Sequence, residues 1–273
     1  MVMSNNNSVG RGVVYLYIEL TSMIFSGYIY WLIISKLTDP HTLGISSTVI
    51  SLVNIISAIA YVGVSGGIQR AISKNISINN LDNVKRIINS SLLILVLGLT
   101  GTFLVVFLMR EWIYEWFRID STLLIMTMIL VSTLAFHTFL SSLIIPTLKV
   151  RIIAFSSVVA ATTKIIATLV LLATDAGVVG ILFGFMLYPL ISIIIFVTHI
   201  RNTLYSSLLK GNLKSQFGYV YETFVTGLGF WIPPAISTAG TQLGTVSVFL
   251  SIGANNAGIF FILFWLSQKA DNF

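Results

Sequence analysis

Glu19, His137 and Lys164 are ionisable side chains set inside long apolar runs. Their types define the chemistry open to them. A carboxyl group or an imidazole can carry a coupling proton, a carboxylate can hold a sodium ion, and an ammonium group can meet an anion. A charge at the centre of a membrane helix costs about 2.5–3.5 kcal/mol on insertion scales, so such groups face a bundle interior or a wet cavity. Lys164 stands about 19 Å into its apolar run, near mid-depth at a rise of 1.5 Å per residue. It shares a small and polar stripe with Ser156, Ala160 and Thr168, spaced four apart, and is the first candidate for substrate contact.

Glu19 shares a stripe with Ser22, Ser26 and Tyr30. It lies about 10 Å from the start of its run, too far below Lys164 for a direct pair to be expected. Glu19 and His137 are the candidate ion-coupling residues. His137, beside Thr133 and Ser141, also fits a hydrogen-bonding role between helices, which polar side chains often fill in membranes. Asn54 follows Ser47 and Ser51 on a further polar stripe, and Gln242 lies with Thr238 and Thr245. Both can hydrogen-bond a polar ligand. Pro233 and Pro234 precede Gln242 and remove two backbone donors, which predicts a kink or break in the helix, of the kind that forms transporter binding sites.

The elements that position these groups follow from composition. Of 273 residues, 56% are apolar and 9% charged, with a mean hydropathy of +0.96. A soluble domain carries about 25% charged residues, so this chain cannot cover its surface with polar groups. The expected fold is all-α, a polytopic transmembrane helix bundle of seven to eight spans. Apolar runs place the spans near 13–34, 44–65, 87–109, 121–145, 152–173, 178–198 and 224–250, with an eighth beginning near 257. The sixth is nearly all Ile, Leu, Phe and Val, which suits a lipid-facing position.

Lys and Arg are retained on the cytoplasmic side of membranes. One set of alternate connections holds eleven of them: Arg11, Arg70, Lys74, Lys85, Arg86, Lys149, Arg151, Arg201, Lys210, Lys214 and Lys269. The other set holds three, Lys36, Arg110 and Arg118. The N-terminus is therefore expected in the cytoplasm, and the aromatic segment Arg110–Asp120 outside, with its rings in the headgroup zone. No leader with a cleavage site is read at the N-terminus.

Several function classes drop out. The chain has no cysteine, hence no disulfide framework and no thiolate metal site. Its basic residues are spread by topology rather than clustered, so no nucleic-acid partner is expected. The sequence contains no HExxH or Walker A lysine motif, and its nine acidic residues are scattered. Catalysis, a cofactor and a metal are not expected.

Residues 37–74 read LTDPHTLGISSTVISLVNIISAIAYVGVSGGIQRAISK. With Pro40, Gly44, Gly63, Gly67 and Arg70 as matching positions, this resembles the opening of the polysaccharide-transport flippases. Those proteins move lipid-linked oligosaccharides, O-antigen units among them, within the multidrug/oligosaccharidyl-lipid/polysaccharide exporter superfamily. IPTLKVR (Ile145–Arg151), GLGFWIPPAIS (Gly227–Ser237) and NNAGIFF (Asn255–Phe261) resemble later connections of that family. A faint repeat, LGI at Leu43–Ile45 and AGI at Ala257–Ile259, is consistent with its two parallel six-helix bundles.

The resemblance implies a first bundle over residues 1–222 and the start of a second over 223–273. It implies a multi-pass protein of the cytoplasmic membrane that flips polyprenyl-diphosphate-linked oligosaccharide without hydrolysing nucleotide. Lys164 would meet the diphosphate, Asn54 and Gln242 the sugar hydroxyls, and Arg70 and Lys74 would gather the anionic head at the cytoplasmic mouth. Expected partners are the lipid-linked oligosaccharide, the bilayer, and other polysaccharide-assembly membrane proteins or a second chain. The alternatives are a multidrug–cation antiporter of the same superfamily and a truncated, non-transporting remnant or assembly subunit.

Overall fold

A computed structural model of the chain describes residues 6–61, 65–117, 119–201 and 217–270. Gly63, Arg118, Lys210 and Lys214 lie outside the described residues, as do the side chains of Arg11 and Lys269. The described residues are helical with short connections and contain no strand. The helices are α1 (Asn6–Leu37), α2 (Pro40–Ala60), α3 (Ser65–Ser77), α4 (Leu81–Leu108), α5 (Arg110–Phe117), α6 (Ser121–Ile144), α7 (Arg151–Ala173), α8 (Gly177–Arg201), α9 (Phe217–Ile252) and α10 (Ala254–Ala270). Seven are long and apolar enough to cross a membrane, and the apolar part of α10, Ala254–Phe264, is shorter. The chain is a multi-pass membrane protein.

Two helix starts lie ahead of the apolar runs, and caps explain both. Asp39 accepts from the amides of His41 and Thr42 at 2.9 and 3.0 Å, and Pro40 follows at the first helical position, where a missing N–H costs nothing. Asn80 likewise accepts from the Asn83 amide at 3.2 Å and starts α4 at Leu81. Hydrogen bonds from the Thr42 amide and hydroxyl hold the exposed Asp39 carboxyl below its ordinary range. Its capping contribution is therefore full above that range and is lost as pH falls through the depressed value. Asp39→Ala should lower stability by about 1 kcal/mol at neutral pH. In thermal unfolding in detergent, that difference should shrink as the solution is acidified.

Helix α2 is the centre of the bundle. Two thirds of its apolar window (67%) is buried, against 17% for α1, and it packs on α4, α6, α8, α9 and α10. Its approach to α10 is backbone on backbone. A Cβ on Gly44 would run into the Ala254 carbonyl, and one on Gly258 would lie 2.6 Å from the Pro40 carbonyl oxygen and 2.9 Å from the Gly44 nitrogen. The two glycines of the repeated LGI and AGI motifs thus meet each other. Exposed Leu97, Leu104, Phe107 and Leu108 on α4, with Phe183 and Ile194 on α8, leave the outside of the bundle apolar, as hydrocarbon requires.

Two expectations need correction. Pro233 and Pro234 do not break their helix: α9 runs from Phe217 to Ile252 with both inside it. Both prolines are exposed, so their rings point away from packed neighbours. Trp231, just before them, donates its indole N–H to the Ala58 carbonyl of α2. The aromatic segment after Arg110 forms a helix, α5; Trp112 and Trp116 are exposed while Phe117 is buried. The sixth span, α8, is not purely lipid-facing. It packs closely on α7 and α6, with Gly180, Gly184, Ser192 and Phe196 buried.

Candidate functional site

Seven helices converge on a cavity of about 240 Å³ at mid-bundle. Helix α1 contributes Met23, Ser26, Gly27 and Trp31; α2 contributes Ile50 and Asn54; α6 contributes Leu134. Lys164 comes from α7, Phe185 and Tyr188 from α8, Gln242 from α9 and Phe261 from α10. Lys164, Asn54 and Gln242, picked from three separate stripes, therefore share one chamber.

The orientation of Lys164 follows from its helix. Ser156, Ala160, Lys164 and Thr168 are all buried on one face of α7, which packs against α8 and α1. Small residues let the backbones close up, as is usual between membrane helices; a Cβ on Gly184 of α8 would collide with the Thr168 hydroxyl. The lysine side chain is 6% exposed. Its Nζ lies 4.4 Å from the Tyr30 ring centroid, 5.5 Å from Phe185 and 5.6 Å from Tyr188. Such cation–π contacts are worth about 0.5–2 kcal/mol each, an electrostatic support without a counter-charge.

That aromatic cage is itself held in place. The Tyr30 hydroxyl donates to the Ile181 carbonyl of α8 at 2.9 Å and lies 3.4 Å from the Thr168 hydroxyl. Trp31 meets Tyr30 edge-on at 5.5 Å and Phe261 of α10 at 4.5 Å. The Tyr188 hydroxyl lies 3.4 Å from that of Ser157. Among the described residues, Lys164 has no ion pair, and no carboxylate lines the chamber. A ligand here meets one ammonium, two side-chain amides, a serine hydroxyl and aromatic faces. That set suits an anion carried on a partly apolar molecule.

The other candidates lie elsewhere. Glu19 is half-buried one turn before Met23 on α1, outside the lining. His137 stands behind the chamber wall, 5.5 Å from the Phe196 ring and 5.8 Å from Tyr188. Arg70 and Lys74 are exposed on α3, at the end of the bundle where α2 finishes. No group of His, Cys, Asp and Glu able to hold a metal occurs among the described residues.

Tyr188, Phe185 and Trp31 were missed from sequence, because aromatic residues look like lipid-facing ones in an apolar count. The Gly180 and Gly184 pair, four apart on α8, was the available signal that this helix packs inward.

Among solved structures, the chain is similar to an inward-facing multidrug resistance MATE family transporter of the MOP superfamily. The likeness has a TM-score of 0.67 and 13% identity, over 94% of this chain and 61% of that one. The chain shares the helical fold of that transporter. This chain spans about three fifths of that transporter's length. No family model matches the chain, and no curated protein matches it.

Proposed function

We propose that the chain belongs to a flippase that carries polyprenyl-diphosphate-linked oligosaccharide across the cytoplasmic membrane for polysaccharide assembly. The observation that carries this reading is the buried Lys164 ammonium, facing a mid-bundle chamber that no carboxylate lines among the described residues. Moving a charged head across hydrocarbon needs a counter-charge at mid-depth, and an intramembrane lysine supplies it.

In this reading Lys164 takes the diphosphate, and Asn54 and Gln242 bond the first sugar hydroxyls. Arg70 and Lys74, on the lysine- and arginine-rich side, gather the anionic head from the leaflet. Glu19 takes up the coupling ion, with His137 behind it. The N-terminus is cytoplasmic. Residues 1–222 form the first bundle and residues 223–273 open a second.

A multidrug–cation antiporter is the second reading, favoured by the likeness to a MATE transporter. Direct binding separates the two. A short-chain polyprenyl-diphosphate oligosaccharide should raise the thermal unfolding temperature of purified protein, and a lipophilic cationic dye should not. The reverse pattern overturns the flippase reading.

A further inference from the structure

We propose that a second, larger cavity, at the end of the bundle formed by the α2 start, α5 and the α9–α10 turn, binds uncharged sugar. Its volume is about 670 Å³, within the range of roughly 300–1,000 Å³ typical of ligand sites. The mid-bundle chamber, at about 240 Å³, falls below that range. The inference rests on the flippase reading for the source of the sugar, and on the lining alone for its chemistry.

Trp116 presents a half-exposed indole at this cavity, 5.6 Å from the Trp112 ring. Phe117, also in the lining, stacks on Phe249 of α9 at 6.2 Å and fixes that wall. Around the indole stand His41, Glu115, Ser251, Asn255 and Asn256. Asn256 donates its amide N–H to the Ile252 carbonyl at 3.0 Å, which leaves its carbonyl oxygen to accept. Glu115 forms no ion pair among the described residues, so its carboxylate is also an acceptor. An aromatic face for the C–H side of a pyranose, ringed by amide and carboxylate groups for its hydroxyls, is a carbohydrate site.

The lining carboxylate disfavours the phosphate end. Among the described residues no Lys or Arg lines this cavity, and Glu115 would repel an anion. The two cavities lie near each other: Ile45 lines this one and Ile50 the chamber, about 8 Å apart along α2 at 1.5 Å per residue. The bundle thus separates the two chemistries of a lipid-linked glycan, a cationic chamber for the diphosphate and a polar, carboxylate-bearing one for the sugars.

Saturation-transfer NMR on purified protein, in a detergent without a sugar head, tests this with chitobiose and maltose as neutral probes and glucose 1-phosphate as the anionic one. At least one neutral disaccharide should receive saturation, more strongly than the sugar phosphate. Trp116→Ala and Glu115→Gln should each weaken the signal fivefold or more, while Phe155→Ala, exposed on α7 and outside both linings, should not. No transfer to either disaccharide, equal transfer to glucose 1-phosphate, or signals unchanged in both lining variants would overturn the proposal. Lipid-linked glycan movement is a separate readout, so failure of the sugar site and failure of the flippase reading are told apart.

Discussion

Lys164→Met should leave the protein abundant in the membrane and at least as thermally stable as the wild type, while glycolipid transport falls ten- to a hundredfold. Methionine keeps the length of the lysine stem and removes only the charge. A charged group near mid-membrane costs about 2.5–3.5 kcal/mol on insertion scales, partly offset here by contacts with Tyr30, Phe185 and Tyr188. Removing the charge therefore does not lower stability. The transport loss follows from a missing charge-assisted bond to the cargo, worth about 1.5–3 kcal/mol, where about 1.4 kcal/mol is tenfold in rate. Lys164→Arg should recover less than half of the activity, because a planar guanidinium does not fit a cage built around a compact ammonium. A stable Lys164→Met protein transporting at the wild-type rate would remove Lys164 from the mechanism.

The second large effect is structural. Gly44→Ala should lower stability by about 1–3 kcal/mol, and Gly44→Val by more, because the added Cβ meets the Ala254 carbonyl, a backbone atom with no rotamer to change. Gly258→Ala should behave alike, since its Cβ would press on the backbone of Pro40 and Gly44. Gly101→Ala on α4 is the control: nothing lies within 4 Å of its Cβ position, so it should be neutral or slightly stabilising. Thermal unfolding in detergent reads all of these. An unaffected Gly44→Val protein would mean that α2 and α10 do not meet in this way.

These two residues also mark what the chain's pattern reveals. Lys164, Asn54 and Gln242 stand out because each is a polar side chain on a helical stripe within an apolar background, and burying such stripes brings them to one chamber. The spans were readable for the same reason, since run length and hydropathy decide them. Tyr30, the floor under the Lys164 ammonium, was visible only as a member of the Glu19 stripe. Tyr188 and Phe185 were invisible because an aromatic ring counts as apolar although its face binds a cation. Charge alone singled out Arg70 and Lys74, yet no periodicity ties them to the chamber, and they lie on amphipathic α3 outside it. Pro233 and Pro234 predicted a break from local chemistry, but flanking helix and an outward-facing position absorbed both rings.

The most direct measurement is translocation by the purified protein in proteoliposomes, using a fluorescent polyprenyl-diphosphate oligosaccharide and membrane-impermeant quenching to report its leaflet. Flippase action predicts that the fraction of glycolipid open to the quencher changes over minutes only when protein is present. It also predicts no accumulation of a cationic dye under an imposed proton or sodium gradient. Gradient-driven dye accumulation without glycolipid movement would contradict the account and assign the chamber to a multidrug antiporter.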